Sequence, residues 1–260
     1  TETDICVVGD GEIPFVKMLD YIKLHPTRRH IDYTGLSQIK GLAFIDENNN
    51  LEVTGNSEQL PASELQYPDY DKLKVSLQKY GGKGEWIHEF FPPTIKTKLV
   101  CELKKSHENE AKTQIQKKIL RFLHSTKYTK QGEIHTSRGC VARCTFCQRG
   151  VKGYRTYSAN DLETHILELK EKYNVGYLET QDENAFSNKK QAYEVARVMK
   201  KCGVLWGAAG GVRVSSVNYE DLKFFKEHNL VLIGFGIESG SQQMLDIMEK
   251  RFTTKDVYNR

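Results

Sequence analysis

The most informative stretch of the sequence is Thr136-Ser-Arg-Gly-Cys140-Val-Ala-Arg-Cys144-Thr-Phe-Cys147, which holds three cysteines within eight residues. Its spacing is C-x3-C-x2-C. Three thiolates so close together can bind one polynuclear iron–sulfur cluster. Three ligands leave one iron of a four-iron cluster without a protein ligand, and catalytic metal sites keep such an open position. We therefore predict a [4Fe–4S] site with Cys140, Cys144 and Cys147 as ligands.

Two other metal sites could use the same cysteines. A structural zinc site would need a fourth ligand, for which His135 and His165 are the candidates. An electron-transfer centre of the ferredoxin type would need a fourth cysteine, either Cys101 or Cys202. A disulfide framework is not expected, because half of the six cysteines lie in one short motif of a long chain.

The composition is that of a globular chain. Its 260 residues are enough for one large domain or two modest ones, and 38% of them are hydrophobic. The net charge of +4 is mild and does not by itself indicate nucleic-acid binding. No stretch approaches the roughly 18 to 20 apolar residues of a membrane span, and the N-terminus lacks a secretion signal. These features predict a cytoplasmic protein.

From Glu133 onward, short apolar runs alternate with amphipathic segments. Strands are predicted at 134–137, 175–180, 204–209 and 230–237, and helices at 158–173, 187–202, 218–228 and 241–250. Ser158, Ser187 and Asn218 are the predicted N-caps of the first three helices. Such alternation implies parallel strands joined by right-handed crossovers. The four units form an open sheet or part of a barrel.

Polar residues follow the later strands of this series. Asp182 and Glu183 come after the second strand, Arg213 after the third, and Glu238 and Ser239 after the fourth. The carboxyl ends of parallel strands share one edge, where barrel and doubly wound enzymes place their sites. Plainer roles remain open: a cap for the next helix, a surface arginine, or a glycine-rich strand end.

The cysteine motif, with the aromatic Phe146 before its third cysteine, resembles the radical SAM superfamily. The resemblance implies an α/β fold, a partial (β/α) barrel of which residues 131–260 supply about four of six units. It implies a [4Fe–4S] cluster on the three cysteines and S-adenosylmethionine (SAM) on the open iron. The implied reaction is reductive cleavage of SAM to a 5′-deoxyadenosyl radical, with a flavodoxin or ferredoxin as reductant. The SAM site would contain Phe146, Asp182, Glu183, Arg213, Glu238 and Ser239.

The N-terminal part resembles the end of the Rossmann-like cobalamin-binding domain that precedes many radical SAM cores. The similarity lies in Asp4-Ile-Cys-Val-Val-Gly-Asp-Gly-Glu with the helix predicted after it, in a hairpin at 41–54, and in a Pro-containing connector at 61–71. It implies a cobalamin-associated methyltransferase, with cobalamin as a third cofactor. The sequence has no Asp-x-His-x-x-Gly stretch that could ligate cobalt, and a small accessory sheet is the alternative.

Three regions are therefore predicted. They are the end of a cobalamin-binding-like domain with its connector (1–72), a linker with a charged helix (73–130), and a radical SAM core that is incomplete at its C-terminus (131–260). The chain would then be a piece of a longer protein. Two other functions stay open: a tRNA methylthiotransferase-like enzyme, which shares the cysteine spacing, and a non-catalytic metal- or nucleic-acid-binding module that uses the charged helix. No substrate can be read from the residues.

Overall fold

The computed structural model describes residues 3–25, 32–69, 72, 130–147 and 153–259. These residues divide into two compact units, one within Thr1–Leu65 and one within Gln66–Cys147 and Tyr154–Arg260. Cys101 and the predicted charged linker up to residue 129 lie outside the described residues. Lys130, predicted as the last residue of that linker, instead begins a strand. The predicted domain limits at 72 and 130 stay predictions.

The first unit is a small antiparallel sheet with two helices. Along the chain it contains β1 (Ile5–Val7), α1 (Glu12–Leu24), α2 (Tyr33–Ser37), β2 (Leu42–Ile45) and β3 (Leu51–Val53), followed by a 3-10 turn at Ala62–Glu64. The predicted hairpin is confirmed, because β2 and β3 pair antiparallel. The predicted strand–turn–helix unit is also present. Its strand pairs antiparallel with β2, rather than with a parallel neighbour of the kind found in a doubly wound sheet.

The tip of the hairpin shows why this segment turns. The Asp46 carboxylate accepts hydrogen bonds from the backbone amides of Asn48 and Asn50, at 2.9 and 2.7 Å. Asn49 has a left-handed backbone with φ of 60°, which asparagine tolerates better than most residues. The turn between the two strands is therefore stabilised by the side chain of Asp46.

The second unit contains a parallel sheet covered by helices. Its elements are β4 (Lys130–Ile134), β5 (Ser137–Gly139), β6 (Tyr154–Thr156), α3 (Ala159–Tyr173), β7 (Val175–Thr180), α4 (Lys189–Lys201), β8 (Leu205–Val212), a 3-10 turn (Val214–Ser216), α5 (Tyr219–Glu227), β9 (Leu230–Phe235), α6 (Gln242–Ile247) and α7 (Thr254–Tyr258). Within the described residues the sheet order is β4-β7-β8-β9, with every neighbouring pair parallel. The predicted parallel alternation is confirmed.

Helix starts follow the local capping chemistry. The Ser158 hydroxyl accepts from the amide of Asp161, and Asn218 forms a reciprocal capping box with Asp221. Both predicted caps are confirmed. For α4 the cap is Asn188 rather than the predicted Ser187. The alternative that Asp182 or Glu183 merely caps this helix is therefore wrong.

The core of the second unit lies between the sheet and its helices. Strand β7 is buried along its whole length because it lies between β4 and β8. Leu178 on β7 and Trp206 on β8 are fully buried and belong to one apolar cluster with residues of α3, α4 and α5. The Trp206 indole satisfies its N–H on the carbonyl of His228 at 2.8 Å. No helix in the described ranges is long and apolar enough to cross a membrane.

His165 is a buried histidine on the inner face of α3. Its ring stacks on Tyr67 with centroids 4.1 Å apart, and Tyr67 donates a hydrogen bond to the His135 carbonyl at 2.7 Å. Burial lowers the pKa of His165 to about 4, against the opposing charge of Glu168. The imidazole is therefore neutral near pH 7 and resists protonation in the folded chain.

Replacing His165 with phenylalanine is expected to flatten the pH dependence of stability. A depressed pKa means that the contribution of His165 is complete above its unfolded pKa and is lost as the pH falls through the folded one, from about 6.5 toward 4. Between about pH 7.5 and about pH 5 this loss is on the order of 2 kcal/mol. Phenylalanine keeps the ring stack and does not titrate. Thermal melts at both pH values test this, and an equal drop in both proteins would contradict it.

Candidate active site

The predicted site residues all follow the carboxyl ends of the parallel strands. These strands end at Ile134, Thr180, Val212 and Phe235. The segments at 136–147, 182–183, 213 and 238–239 come directly after them, so the parallel pairing brings them to one edge of the sheet. The predicted meeting of these segments at one edge is confirmed. We call this the C-terminal edge.

The three motif cysteines lie on the loop between β5 and β6. We call residues 140–147 the cysteine loop. All three thiols are free; Cys140 and Cys144 are half-buried and Cys147 is exposed. The Cys140 sulfur accepts from the amide of Ala142 at 3.4 Å, and the Cys147 amide donates to the Cys144 carbonyl at 3.2 Å. Hydrogen bonds to cluster sulfurs are one means by which a protein tunes the potential of an iron–sulfur centre.

The three unpaired thiols of the cysteine loop are suitable ligands for a polynuclear cluster. Among the described residues, no three His, Cys, Asp or Glu side chains are close enough to hold a single metal ion. A zinc ion needs all its ligands around one centre, whereas each thiolate of a four-iron cluster binds a different iron. Three accessible, unpaired thiols on one loop are therefore the donor set that a [4Fe–4S] cluster requires.

Two of the alternative fourth ligands are poorly placed for this loop. Cys202 caps the end of α4 before β8 begins, at the opposite end of the parallel strands, and is buried in the apolar core. Burial also raises the pKa of its thiol, which disfavours the thiolate that binds metal. His165 is enclosed in its stack with Tyr67. These placements argue against Cys202 and His165 as a fourth ligand, whereas His135 is exposed directly after β4 and stays a candidate.

Asp182 is the main anchor of the segment that leads into the cysteine loop. One carboxylate oxygen accepts from the Thr136 amide at 2.7 Å, and the other accepts from the Thr136 and Ser137 hydroxyls at 2.6 Å each. The side chain is buried, which raises its pKa, while these hydrogen bonds favour the ionised form and lower it. Asp182 thus ties the end of β7 to the end of β4. Its contact with SAM stays a prediction.

Glu183 holds the same segment one step closer to the cysteines. Its carboxylate accepts from the Gly139 amide at 2.6 Å, and Gly139 directly precedes Cys140. Gln191 adds a bond from its side-chain amide to the Thr136 carbonyl at 2.9 Å. Two neighbouring carboxylates therefore position the entrance of the cysteine loop, although Glu183, unlike Asp182, is itself exposed.

The last strand contributes Glu238 and Ser239. Glu238 has a left-handed backbone with φ of 67°, and its half-exposed carboxylate lies 3.3 Å from the ammonium of Lys250. The Ser239 hydroxyl accepts from the Ser241 amide at 3.1 Å. Arg213 is half-buried and donates through Nη2 to the Lys250 carbonyl, while its buried Nε has no hydrogen-bond partner. That Nε is therefore a buried donor whose hydrogen bond is not satisfied within the described residues.

A buried acid on the other side of β7 was not singled out by the sequence. Glu179 accepts from the Tyr177 hydroxyl and from the Ala209 amide, the latter at 2.7 Å. Burial raises its pKa, and both hydrogen bonds act against that rise. A Cβ at Gly207 would lie 2.5 Å from its carboxylate, so only glycine fits beside it on β8. The alternation of Tyr177 and Glu179 on a strand was the available signal.

The fold and this edge define an α/β protein with a partial (β/α) barrel and a three-cysteine loop at the carboxyl ends of its strands. Residues 134–259 match the family model of the radical SAM superfamily, and this part of the chain belongs to that superfamily. The predicted fold class and family are confirmed. The superfamily uses a [4Fe–4S] cluster and SAM, the two cofactors expected from the cysteine motif.

Known proteins similar to this chain include a methyltransferase and a cyclase. Cytidylyl-2-hydroxyethylphosphonate methyltransferase of Streptomyces wedmorensis is 24% identical over 255 residues, which are 95% of this chain and 42% of that protein. The anaerobic magnesium-protoporphyrin IX monomethyl ester cyclase of Cereibacter sphaeroides is 31% identical over 127 residues, 46% of this chain and 21% of that protein. The chain thus spans less than half the length of these relatives.

Solved structures of similar fold extend the likeness to nearly the whole chain. The cobalamin-dependent SAM radical enzyme OxsB, with aqua-cobalamin and SAM bound, matches with a TM-score of 0.61 and 17% identity over 97% of this chain and 30% of OxsB. The radical SAM methyltransferase TsrM from Kitasatospora setae, with cobalamin and a [4Fe–4S] cluster bound, matches with a TM-score of 0.57 and 14% identity over 98% of this chain and 43% of TsrM. At these identities the likeness concerns the fold.

Proposed function

We propose that this chain is the catalytic part of a radical SAM enzyme that binds a [4Fe–4S] cluster through Cys140, Cys144 and Cys147. The observation that carries the proposal is the cysteine loop itself, which lies at the C-terminal edge with three free thiols and is anchored by Asp182 and Glu183. When bound there, the cluster would supply one electron to the sulfonium of SAM, which breaks its S–C5′ bond and gives methionine and a 5′-deoxyadenosyl radical.

The surrounding residues offer complementary groups for SAM. The unpartnered Nε of Arg213 suits the carboxylate of the methionine moiety, because guanidinium donors bind carboxylates strongly. Glu238 and Ser239 present oxygen atoms to the amino group or to the ribose. The exposed ring of Phe146 offers an apolar face beside the third cysteine. Asp182 contributes by positioning the cysteine loop. Glu183 positions the same loop and also contacts SAM.

The reaction class that we propose is methyl transfer in a cobalamin-associated enzyme. The likeness in fold to parts of OxsB and TsrM and the similarity to a phosphonate methyltransferase support this assignment. The first unit, with its strand–turn–helix and hairpin, would form part of the cobalamin-binding region. A flavodoxin or ferredoxin would supply the electron.

Anaerobic reconstitution with iron and sulfide tests the proposal. We expect about four irons per chain and formation of 5′-deoxyadenosine from SAM under a strong reductant. We also expect added hydroxocobalamin to co-elute with the full chain. A protein that takes up one zinc and no iron would contradict the proposal and favour a non-catalytic metal-binding module.

A further inference from the structure

The cysteine loop is held from a second side by the turn that follows α6. We call Met248–Phe252 the C-terminal turn. The Thr145 amide donates to the Met248 carbonyl at 3.2 Å, and the Thr145 hydroxyl donates to the Ile247 carbonyl at 3.1 Å. A residue between two motif cysteines is therefore bonded to a segment about 100 positions further along the chain. Hydrogen bonds therefore hold the loop to this turn, while Asp182 holds the segment that leads into the loop.

Lys250 is the buried centre of this contact. Its side chain is 5% exposed, and its ammonium lies 3.3 Å from a Glu238 carboxylate oxygen. The same ammonium lies 5.7 Å from the ring centroids of Phe146 and Phe252. A buried ammonium is unfavourable unless it is paired, and here a carboxylate and two aromatic faces provide the compensation. Lys250 thus joins Phe146 in the cysteine loop to Glu238 after the last strand.

The residues on both sides of Lys250 have an unusual backbone conformation. Glu249 and Arg251 both have left-handed backbones, with φ of 52° and 54°, a conformation that costs energy in residues other than glycine. Phe252 anchors the turn in a small apolar cluster with Val214 and Leu245. Left-handed residues on either side of a buried lysine indicate that the surrounding packing holds the lysine in place.

The residues that follow β8 and β9 also leave space for the Lys250–Glu238 pair and hold it in place. A Cβ at Gly236 would lie 3.1 Å from the Glu238 carboxylate and 3.7 Å from the Lys250 ammonium, so the absence of a side chain leaves that space open. Arg213, after β8, donates to the Lys250 carbonyl. Three of the residues predicted to contact SAM, Phe146, Arg213 and Glu238, therefore meet at Lys250.

We propose that Lys250 is a positioning residue that fixes Phe146 and the cysteine loop relative to Glu238 and Arg213. Without its ammonium, the loop would lose its link to Glu238, and the hydrogen bonds of Thr145 to the C-terminal turn would open more often. The link is made entirely by side chains of this chain, whereas its consequence for SAM rests on the proposed function. The two can therefore be tested separately.

The first test measures the loop before iron is added. In the full chain, Lys250→Met keeps the apolar stem and removes the charge, and Lys223→Met, on the exposed face of α5, is the matched control. We expect the amides of Thr145 and Cys147 to exchange hydrogen on the order of tenfold faster in Lys250→Met and unchanged in the control. Unchanged exchange in Lys250→Met would overturn the proposal.

A second variant guards against misfolding of Lys250→Met. Phe146→Leu removes the ring that Lys250 covers, and this ring is 54% exposed, so folding should tolerate the change. Phe146→Leu should raise the exchange rates of the same two amides. In the double variant the two effects should not add, because each single variant removes the same contact between Lys250 and the Phe146 ring. Fully additive effects, or no effect of Phe146→Leu, would argue against the link.

The second test measures SAM binding to the iron-loaded chain by titrating the electron paramagnetic resonance signal of the reduced cluster. We expect Lys250→Met to load iron normally and to bind SAM about tenfold to 100-fold more weakly, as is typical when a supporting residue around a metal site is lost. Wild-type affinity in Lys250→Met would overturn the proposal. If the wild-type chain took up no iron, the proposed function would fail, while the exchange experiment would still decide the role of Lys250.

Discussion

The Cys144→Ala variant is expected to lose 5′-deoxyadenosine formation by more than about 100-fold, which is the upper end of the loss seen when only a residue supporting a metal ligand is removed. Cys144 is the middle thiol of the motif, and its carbonyl also accepts the Cys147 amide. Two remaining thiolates cannot hold three irons of a cluster, so bound iron should fall together with activity. Iron analysis and chromatographic detection of deoxyadenosine, after identical reconstitution, make the measurement.

The matched control for this loss is Cys6→Ala. Cys6 is an exposed free thiol on β1 of the first unit and is not part of the motif. It should retain wild-type iron content and activity. Thermal melts of the iron-free proteins should be similar, since Cys144 is half-buried on a loop and not in the core. Deoxyadenosine at the wild-type rate in Cys144→Ala would exclude the motif as the cluster site.

The barrel units could be predicted because their signals are local. The strand at Val175–Thr180 matches its prediction residue for residue, and the caps at Ser158 and Asn218 follow from side chains next to the helix that they start. The strand predicted at 134–137 was wrong in detail. The chain there forms β4, which ends at Ile134, and β5, which pairs with β6 about 17 residues later across the cysteine loop. Pairing at that separation leaves no periodic signal in three-residue strands.

The segments that meet at the C-terminal edge could be predicted from the sequence, but not the directions of their side chains. Asp182 was expected at the SAM site because it follows a strand, yet both of its oxygens accept bonds from Thr136 and Ser137. Lys250 was missed because a lysine is usually exposed. Its burial comes from Phe146 and Phe252, one of them over 100 residues away, and from the left-handed backbone on both sides of it. Such contacts exist only after the fold has formed.

Asp182→Ala is expected to destabilise the iron-free chain by about 3 kcal/mol, because it leaves the buried Thr136 amide and two hydroxyls without their acceptor. For a unit of this size the thermal midpoint should fall by about 10 °C. Asp182→Asn should also destabilise, because its amide would bring hydrogen-bond donors to a place where three donors already converge. Thermal melting followed by circular dichroism measures both variants.

Glu183→Gln is the matched control for this prediction, because it lies next to Asp182 but is exposed and keeps an oxygen that can accept the Gly139 amide. Its melting midpoint should stay close to that of the wild type. The difference between the melting midpoints of Asp182→Ala and Glu183→Gln separates the loss of a buried hydrogen-bond acceptor from the loss of a charge at this edge. Asp182→Ala should also load less iron, because the segment entering Cys140 would no longer be tied to β7. A wild-type midpoint with full iron loading in Asp182→Ala would mean that the cysteine loop is positioned by the C-terminal turn alone.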